Sequence, residues 1–194
     1  MQRVLACLIA AVLVTFAGVP GVQGQGWSQR ATALSDSLTD EVVRRLGNDF
    51  RECGELSNVF RYDCYSKSYR NAAIKLVGIP EYGTAHEALT LVEKRIAAVI
   101  DANLDLSRPP LRQGFRSFKA VTEAALPVVK RETLRAMEEA QTILLRSPNA
   151  QQQTHFARIA AVIDSNKVLL RSAMLQLRQG VTRFAGLLGL AWTL

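Results

Sequence analysis

Residues 52–64 read ECGELSNVFRYDC, and the two cysteines in this stretch, Cys53 and Cys64, decide how the chain folds. The remaining cysteine is Cys7, near the start. Redox catalysts place their thiols as Cys-x-x-Cys, and haem attachment uses Cys-x-x-Cys-His; neither pattern occurs. A structural zinc site takes about four ligands, often in close pairs. The two histidines, His86 and His155, stand far from both cysteines in sequence. A structural disulfide is the remaining reading. It requires the two Cα atoms to approach within about 7 Å. By closing a short loop, it contributes somewhat under ~3 kcal/mol through chain entropy. The stretch is therefore expected to be a disulfide-closed turn joining two helices.

The helices on either side follow from periodicity. Upstream, Leu34, Leu38, Val42 and Leu46 recur every four residues, which predicts a helix from about Ala31 to Phe50, ended or loosened at Gly47-Asn48. Downstream, Ser57 is a suitable N-cap for a second helix, from about Asn58 to Val77. Gly78 and Pro80 stop it. At 100° per residue, Tyr62, Tyr65, Tyr69, Ala72, Ala73 and Leu76 share one face, expected to meet the core. Cys64 and Phe60 fall on a different side, so the bond is expected on the flank of this helix. Arg61, Lys67 and Arg70 interleave with the tyrosines. The continuation of the stripe into alanine and leucine favours a core over a base-stacking surface, so no nucleic-acid partner is expected.

A third helix is expected from Thr84, where Thr84-Ala-His-Glu87 has the form of a capping box, to about Asp105. Its stripe is Leu89, Val92, Ile96 and Val99. A fourth is expected over residues 112–146, with Phe115, Phe118, Val121, Ala125 and Val129 leading into Met137, Ala140 and Leu144. Pro127 lies inside that pattern and should kink or split it. A fifth starts at Ser147-Pro148 and runs to about Gln179, carried by Phe156, Ile159, Ile163, Leu170, Met174 and Leu177. Gly180 then interrupts. No alternating strand pattern of useful length is present. The expectation is an all-α, up-and-down bundle of about five helices. Residues 112–146 and 148–179 would form a long antiparallel hairpin, and a short apolar C-terminal helix would follow.

The N-terminus bears on location. Arg3, the apolar run Val4–Val19, the break at Pro20-Gly21 and the small residues before Gln25 form the pattern of a secretory signal peptide. An uncleaved membrane anchor is the alternative, though the run is short for a spanning helix, which needs about 20 apolar residues. Residues 1–24 are read as the signal, 25–30 as a linker, 31–180 as one domain and 181–194 as an apolar tail. Export to an oxidising compartment, the periplasm of a bacterial-type envelope, agrees with an even number of cysteines after cleavage. Residues 25–105 hold 10 basic and 12 acidic side chains, and residues 106–194 hold 13 and 5. The basic residues of the second half are spaced rather than run together, so they are read first as a solvated surface.

Candidate sites are few. His86-Glu87 starts like a zinc-protease motif, but Thr90 occupies the second ligand position. Asp101 and Asp105, four apart on one helix face, are the residues an enzyme would use. Local ion pairing with Arg108 or Arg112 is the simpler account. Asn103 and Asn166 each continue an apolar stripe and are expected to be buried, hydrogen-bonded residues that fix helix register. Phe184, Leu187, Leu188 and Trp192 in the tail are expected on the core, in a membrane interface or against a partner. No cofactor, metal or catalytic constellation is indicated. The chain is expected to be a non-enzymatic binding or interaction module of the envelope. A peripheral membrane protein, held by the tail or an uncleaved N-terminus, is the second expectation. An enzyme using the Asp101/Asp105 region is the third.

Overall fold

A computed structural model of the chain describes residues 34–146 and 149–188, with side chains as far as residue 172. The expected signal peptide, the linker and the tail side chains of Phe184, Leu187, Leu188 and Trp192 lie outside the described residues.

Helix α1 spans Asp36–Glu55. Ser35 caps it, its Oγ accepting from the Leu38 amide at 3.4 Å, and Asp36 places negative charge where the helix dipole favours it. Thr39, Val42, Leu46, Phe50 and Cys53 form the buried face at intervals of three and four. The helix continues through Gly47, where sequence suggested an end. Packing of this face on α2 and α5 outweighs the ~1 kcal/mol that an interior glycine costs. Leu56 then turns extended and Ser57 opens α2, Asn58–Ile74.

Cys53 thus lies in the last turn of α1 and Cys64 inside α2, with Cα atoms 5.5 Å apart and sulfurs at disulfide distance. The pair links two helices across a two-residue corner, Leu56-Ser57, rather than closing a long irregular turn. The expected tyrosine face is buried, including Tyr62, Tyr65 and Tyr69. Cys64, expected on the flank of this helix beside the tyrosine face, is buried too, as are Asp63, Ser66 and Ser68. α2 is covered on nearly all sides, because α1, α3, α4 and a β-hairpin all pack on it. Its small polar residues find partners there, Ser66 Oγ donating to the Glu93 carbonyl at 3.2 Å and Ser68 Oγ to the Cys64 carbonyl at 3.0 Å.

Gly78, at φ +78°, ends the turns after α2. A 3₁₀ turn over Pro80–Tyr82 leads straight into α3, Gly83–Asp101. The Thr84–Glu87 capping box is not formed, because that 3₁₀ turn already starts the helix. Ala85, Ala88, Leu89, Val92, Ile96 and Ile100 line the buried face of α3.

The largest departure follows α3. Residues 112–125 are not α-helical, and only Glu123–Ala125 form a 3₁₀ turn. β1, Leu111–Gln113, pairs antiparallel with β2, Arg116–Phe118, with Leu111 opposite Phe118 and Gln113 opposite Arg116. Gly114 supplies φ +56° at the tip, as tight hairpin turns require. Beyond the strands, Asp105 and Thr122 amides bond the Ala120 and Asn103 carbonyls at 2.9 and 3.1 Å. The Val121 amide reaches the Val59 carbonyl of α2 at 2.9 Å. Asp63 of α2 accepts from the Lys119 amide at 2.9 Å and from Lys67 Nζ at 2.6 Å. These bonds fasten the excursion to α2 and drive Phe118 fully into the core, flanked by the Lys67 and Arg116 cations.

Helix α4 is correspondingly shorter, Leu126–Leu145. Pro127 stands in its first turn, where a missing amide costs no hydrogen bond, so it starts the helix instead of kinking one. α5 spans Ala150–Leu188 and continues through Gly180. Each helix packs on its sequence neighbour and α1 closes against α5, enclosing a core built on Phe50, Tyr69, Tyr82, Phe118, Met137 and Phe156.

Candidate ligand-binding groove

Where the C-terminal end of α1 meets the N-terminal halves of α2 and α4, the packing leaves a groove of about 380 Å³. It forms because α1 stops at the Leu56 corner while α4 begins only at Leu126. Phe50, Tyr62, Tyr65, Leu126, Pro127, Leu169 and Leu170 supply its apolar walls. Phe50 and Tyr65 stack with ring centroids 3.8 Å apart, and Tyr62 meets Tyr65 edge-on at 5.9 Å, which makes the aromatic side rigid. Burial pushes the Tyr62 phenol up to about 12, and pushes the Tyr65 phenol up as well, with Arg61 acting against the shift in both.

The polar lining is cationic. Arg51, Arg61 and Lys130 border the groove together with Gly54 and Asn58, and no acidic residue lines it among the described residues. None of the three cations stands in an ion pair among the described residues. Arg61 is held by its Nη2, which donates to the Gly54 and Leu56 carbonyls at 2.7 and 3.0 Å. Its Nε is buried without a partner. Burial holds the Lys130 ammonium below the usual lysine range, and the neighbouring Arg61 charge adds to the effect. Two cations thus press on each other over an apolar floor. An anion placed between them relieves that repulsion.

The groove residues were not singled out from sequence, although a signal was present. Arg61 and Lys130 have no acidic residue three or four positions away on their helices, unlike Lys67, which has Asp63. Of the basic residues interleaved with the tyrosines, Lys67 pairs with Asp63 and Arg70 with Glu93 at 2.5 Å. Arg61 faces the groove.

The residues singled out from sequence lie elsewhere and apart. Asp101 bonds Lys119 Nζ at 2.8 Å. Asp105 accepts from the Ser107 hydroxyl at 2.6 Å and pairs with Arg108 at 3.3 Å, and the Ser107 bond chiefly holds its carboxyl below the usual range. Each carboxylate is committed to a cation, and the Asp105 carboxyl is shifted away from the raised pKa that a general acid needs. Asn103 is half-buried and donates to the Val99 carbonyl of its own helix at 2.7 Å. Asn166 is buried on α5 beside the Tyr69 hydroxyl and partly offsets the burial that pushes that phenol up. Among the described residues, neither the hydroxyl nor the Asn166 Nδ2 has a partner of good hydrogen-bond geometry. The two asparagines therefore stand in different surroundings: one closes a helix end and the other faces a buried tyrosine.

His86 lies in the first turns of α3, and among the described residues no group of three His, Cys, Asp or Glu side chains is placed to hold a metal. No described helix is long and apolar enough to cross a membrane. His155 is more than an ordinary surface residue. Its Nδ1 lies 2.7 Å from the buried Thr39 Oγ1, which in turn meets the Tyr82 hydroxyl at 2.6 Å. Tyr82 also bonds the Ser35 carbonyl at 2.8 Å, so this chain of hydroxyls fixes the start of α1 between α3 and α5. Thr39, at its centre, is fully buried. Its role is to position helices.

Comparisons with known protein families, with curated proteins and with solved structures return no match for this chain.

Proposed function

We propose that the chain is an exported, non-enzymatic binding module of the cell envelope, and that the groove between α1, α2, α4 and α5 is its binding site. One observation carries the reading. The groove combines rigid aromatic walls with three cations that have no carboxylate partner among the described residues. A cation left unpaired over apolar surface costs stability unless something pairs it. Binding sites tolerate such costs where packing cores do not. The paired state of Asp101 and Asp105 gives the enzyme reading no support. Export rests on the N-terminal pattern, and the approach of Cys53 and Cys64 agrees with an oxidising compartment. The short links between α1 and α2 and between α4 and α5 favour the up-and-down order of a bundle.

The test uses N-phenyl-1-naphthylamine, a neutral probe that brightens in apolar sites. It should bind the wild-type protein and fail to bind Gly54→Phe. Gly54 borders the groove and a Cβ there meets nothing within 4 Å, so the larger side chain is expected to occupy the groove, with circular dichroism as the check on the fold. Unchanged probe binding in Gly54→Phe removes the groove from the account. N-terminal sequencing of the protein recovered from the envelope tests the cleavage near residue 24.

A further inference from the structure

Resting on that reading, we propose that the groove takes a monomeric anionic amphiphile: one apolar chain or ring system capped by a carboxylate or phosphate. The apolar part is set by the walls. Phe50, Tyr62 and Tyr65 form one side, and Leu126, Pro127 and Leu169 give the site more apolar than polar surface, which a small polar anion would not cover. Leu169 is half exposed, an apolar side chain left at the surface where it contributes to this groove.

The anionic head is set by the cations. Lys130 on α4 and Arg61 on α2 face the same space, and neither has a carboxylate partner among the described residues. Arg61 is oriented in advance. Its Nη2 is fixed by the Gly54 and Leu56 carbonyls, which leaves Nε buried and unsatisfied. An anion between Arg61 and Lys130 relieves the repulsion between the two charges and forms charge-assisted hydrogen bonds, so anion binding is favoured. The same contacts disfavour a cationic head. Arg61 also neutralises the carbonyl end of α1, which would otherwise repel an anion there. A cavity of about 380 Å³ suits a single chain and is small for a two-chain lipid.

The experiment compares laurate, dodecanol and dodecyltrimethylammonium, each kept monomeric, by displacement of N-phenyl-1-naphthylamine from the full chain. Laurate should bind at least tenfold tighter than dodecanol, and the cationic homologue weakest. Lys130→Met should lose about tenfold for laurate and leave dodecanol within twofold. Circular dichroism checks its fold, and Lys130→Arg, which restores the charge, should recover laurate binding. Gly54→Phe keeps all three cations and should exclude every probe. Equal affinity for laurate and dodecanol, or full laurate affinity in Lys130→Met, overturns the anion preference while leaving the groove intact as an apolar site. Absence of any probe binding to the wild type overturns the groove itself. If the protein sediments with vesicles of anionic phosphatidylglycerol and takes up no free laurate, the anion is a bilayer surface and the proposal fails.

Discussion

Three of the four tyrosines in this chain should make it fail steeply in alkali. Tyr62, Tyr65 and Tyr69 are buried, and burial is the main cause that raises all three phenols, Tyr62 to about 12 and the other two further in the same direction. In the unfolded chain each phenol ionises near pH ~10. Between those values the folded state keeps protons that the unfolded state gives up. The stability these groups carry is therefore fully present below about pH 10 and is lost as pH rises through about 12. One such group costs ~1.36 kcal/mol per pH unit, so three together remove ~4 kcal/mol by about pH 11. That is a large share of the ~5–15 kcal/mol that holds a domain folded. Lys119, raised chiefly by its bond to Asp101, and Lys130, lowered by burial, act in opposite senses, which leaves the tyrosines to govern the slope. Urea unfolding at several pH values gives that slope, and phenolate absorbance reports ionisation in parallel. Absorbance should appear only as the protein unfolds. Tyr69→Phe should reduce the slope by about one third. Stability flat across this range, or ionisation well ahead of unfolding, refutes the reasoning.

Other expectations are local. Replacing Cys53 and Cys64 with alanine should lower stability by ~3 kcal/mol, the loop entropy for a separation of 11 residues, and two free thiols in the oxidised wild type would contradict the bond. Thr39→Val should cost ~1–3 kcal/mol in urea unfolding, because it leaves the His155 and Tyr82 side chains with one partner fewer in a buried place. Phe118→Ala should cost ~3–5 kcal/mol, since Phe118 is fully buried, whereas Phe115→Ser at the fully exposed hairpin tip should shift the thermal midpoint by no more than about a degree.

Those two phenylalanines also explain which parts of the fold sequence makes legible. Phe115, Phe118 and Val121 are spaced by three, as a helical stripe would be, yet Phe115 points to solvent while Phe118 and Val121 are buried. Three-residue strands are too short to display their own period, so chance spacing can imitate a helix. What distinguishes the segment is Pro109-Pro110 before it and Gly114 within it, and above all Asp63, which takes the Lys119 amide from a distant helix. That last bond is tertiary and leaves no trace in the local pattern. The long helices behave otherwise. Their stripes repeat over several turns, and the residues expected in the core are buried, Tyr62 to Ala73 on α2 and Leu89, Val92 and Ile96 on α3.

The same distinction separates the candidate sites. Asp101 and Asp105 draw the eye because they are neighbours on one helix, but neighbours are also the residues most readily satisfied by local partners, here Lys119, Ser107 and Arg108. The groove comes from four separate stretches of chain, and its polar residues matter through what they lack. Arg61 and Lys130 stand apart because no acid lies one turn away from either on its helix. The cysteine stretch connects the two levels. By holding the end of α1 to the middle of α2, it fixes the Leu56 corner, and that corner supplies the carbonyls that aim Arg61. Opening the Cys53–Cys64 link should therefore weaken groove binding as well as stability. The cysteine pair, which contributes no atom to the groove lining, acts on it through the guanidinium it helps to orient.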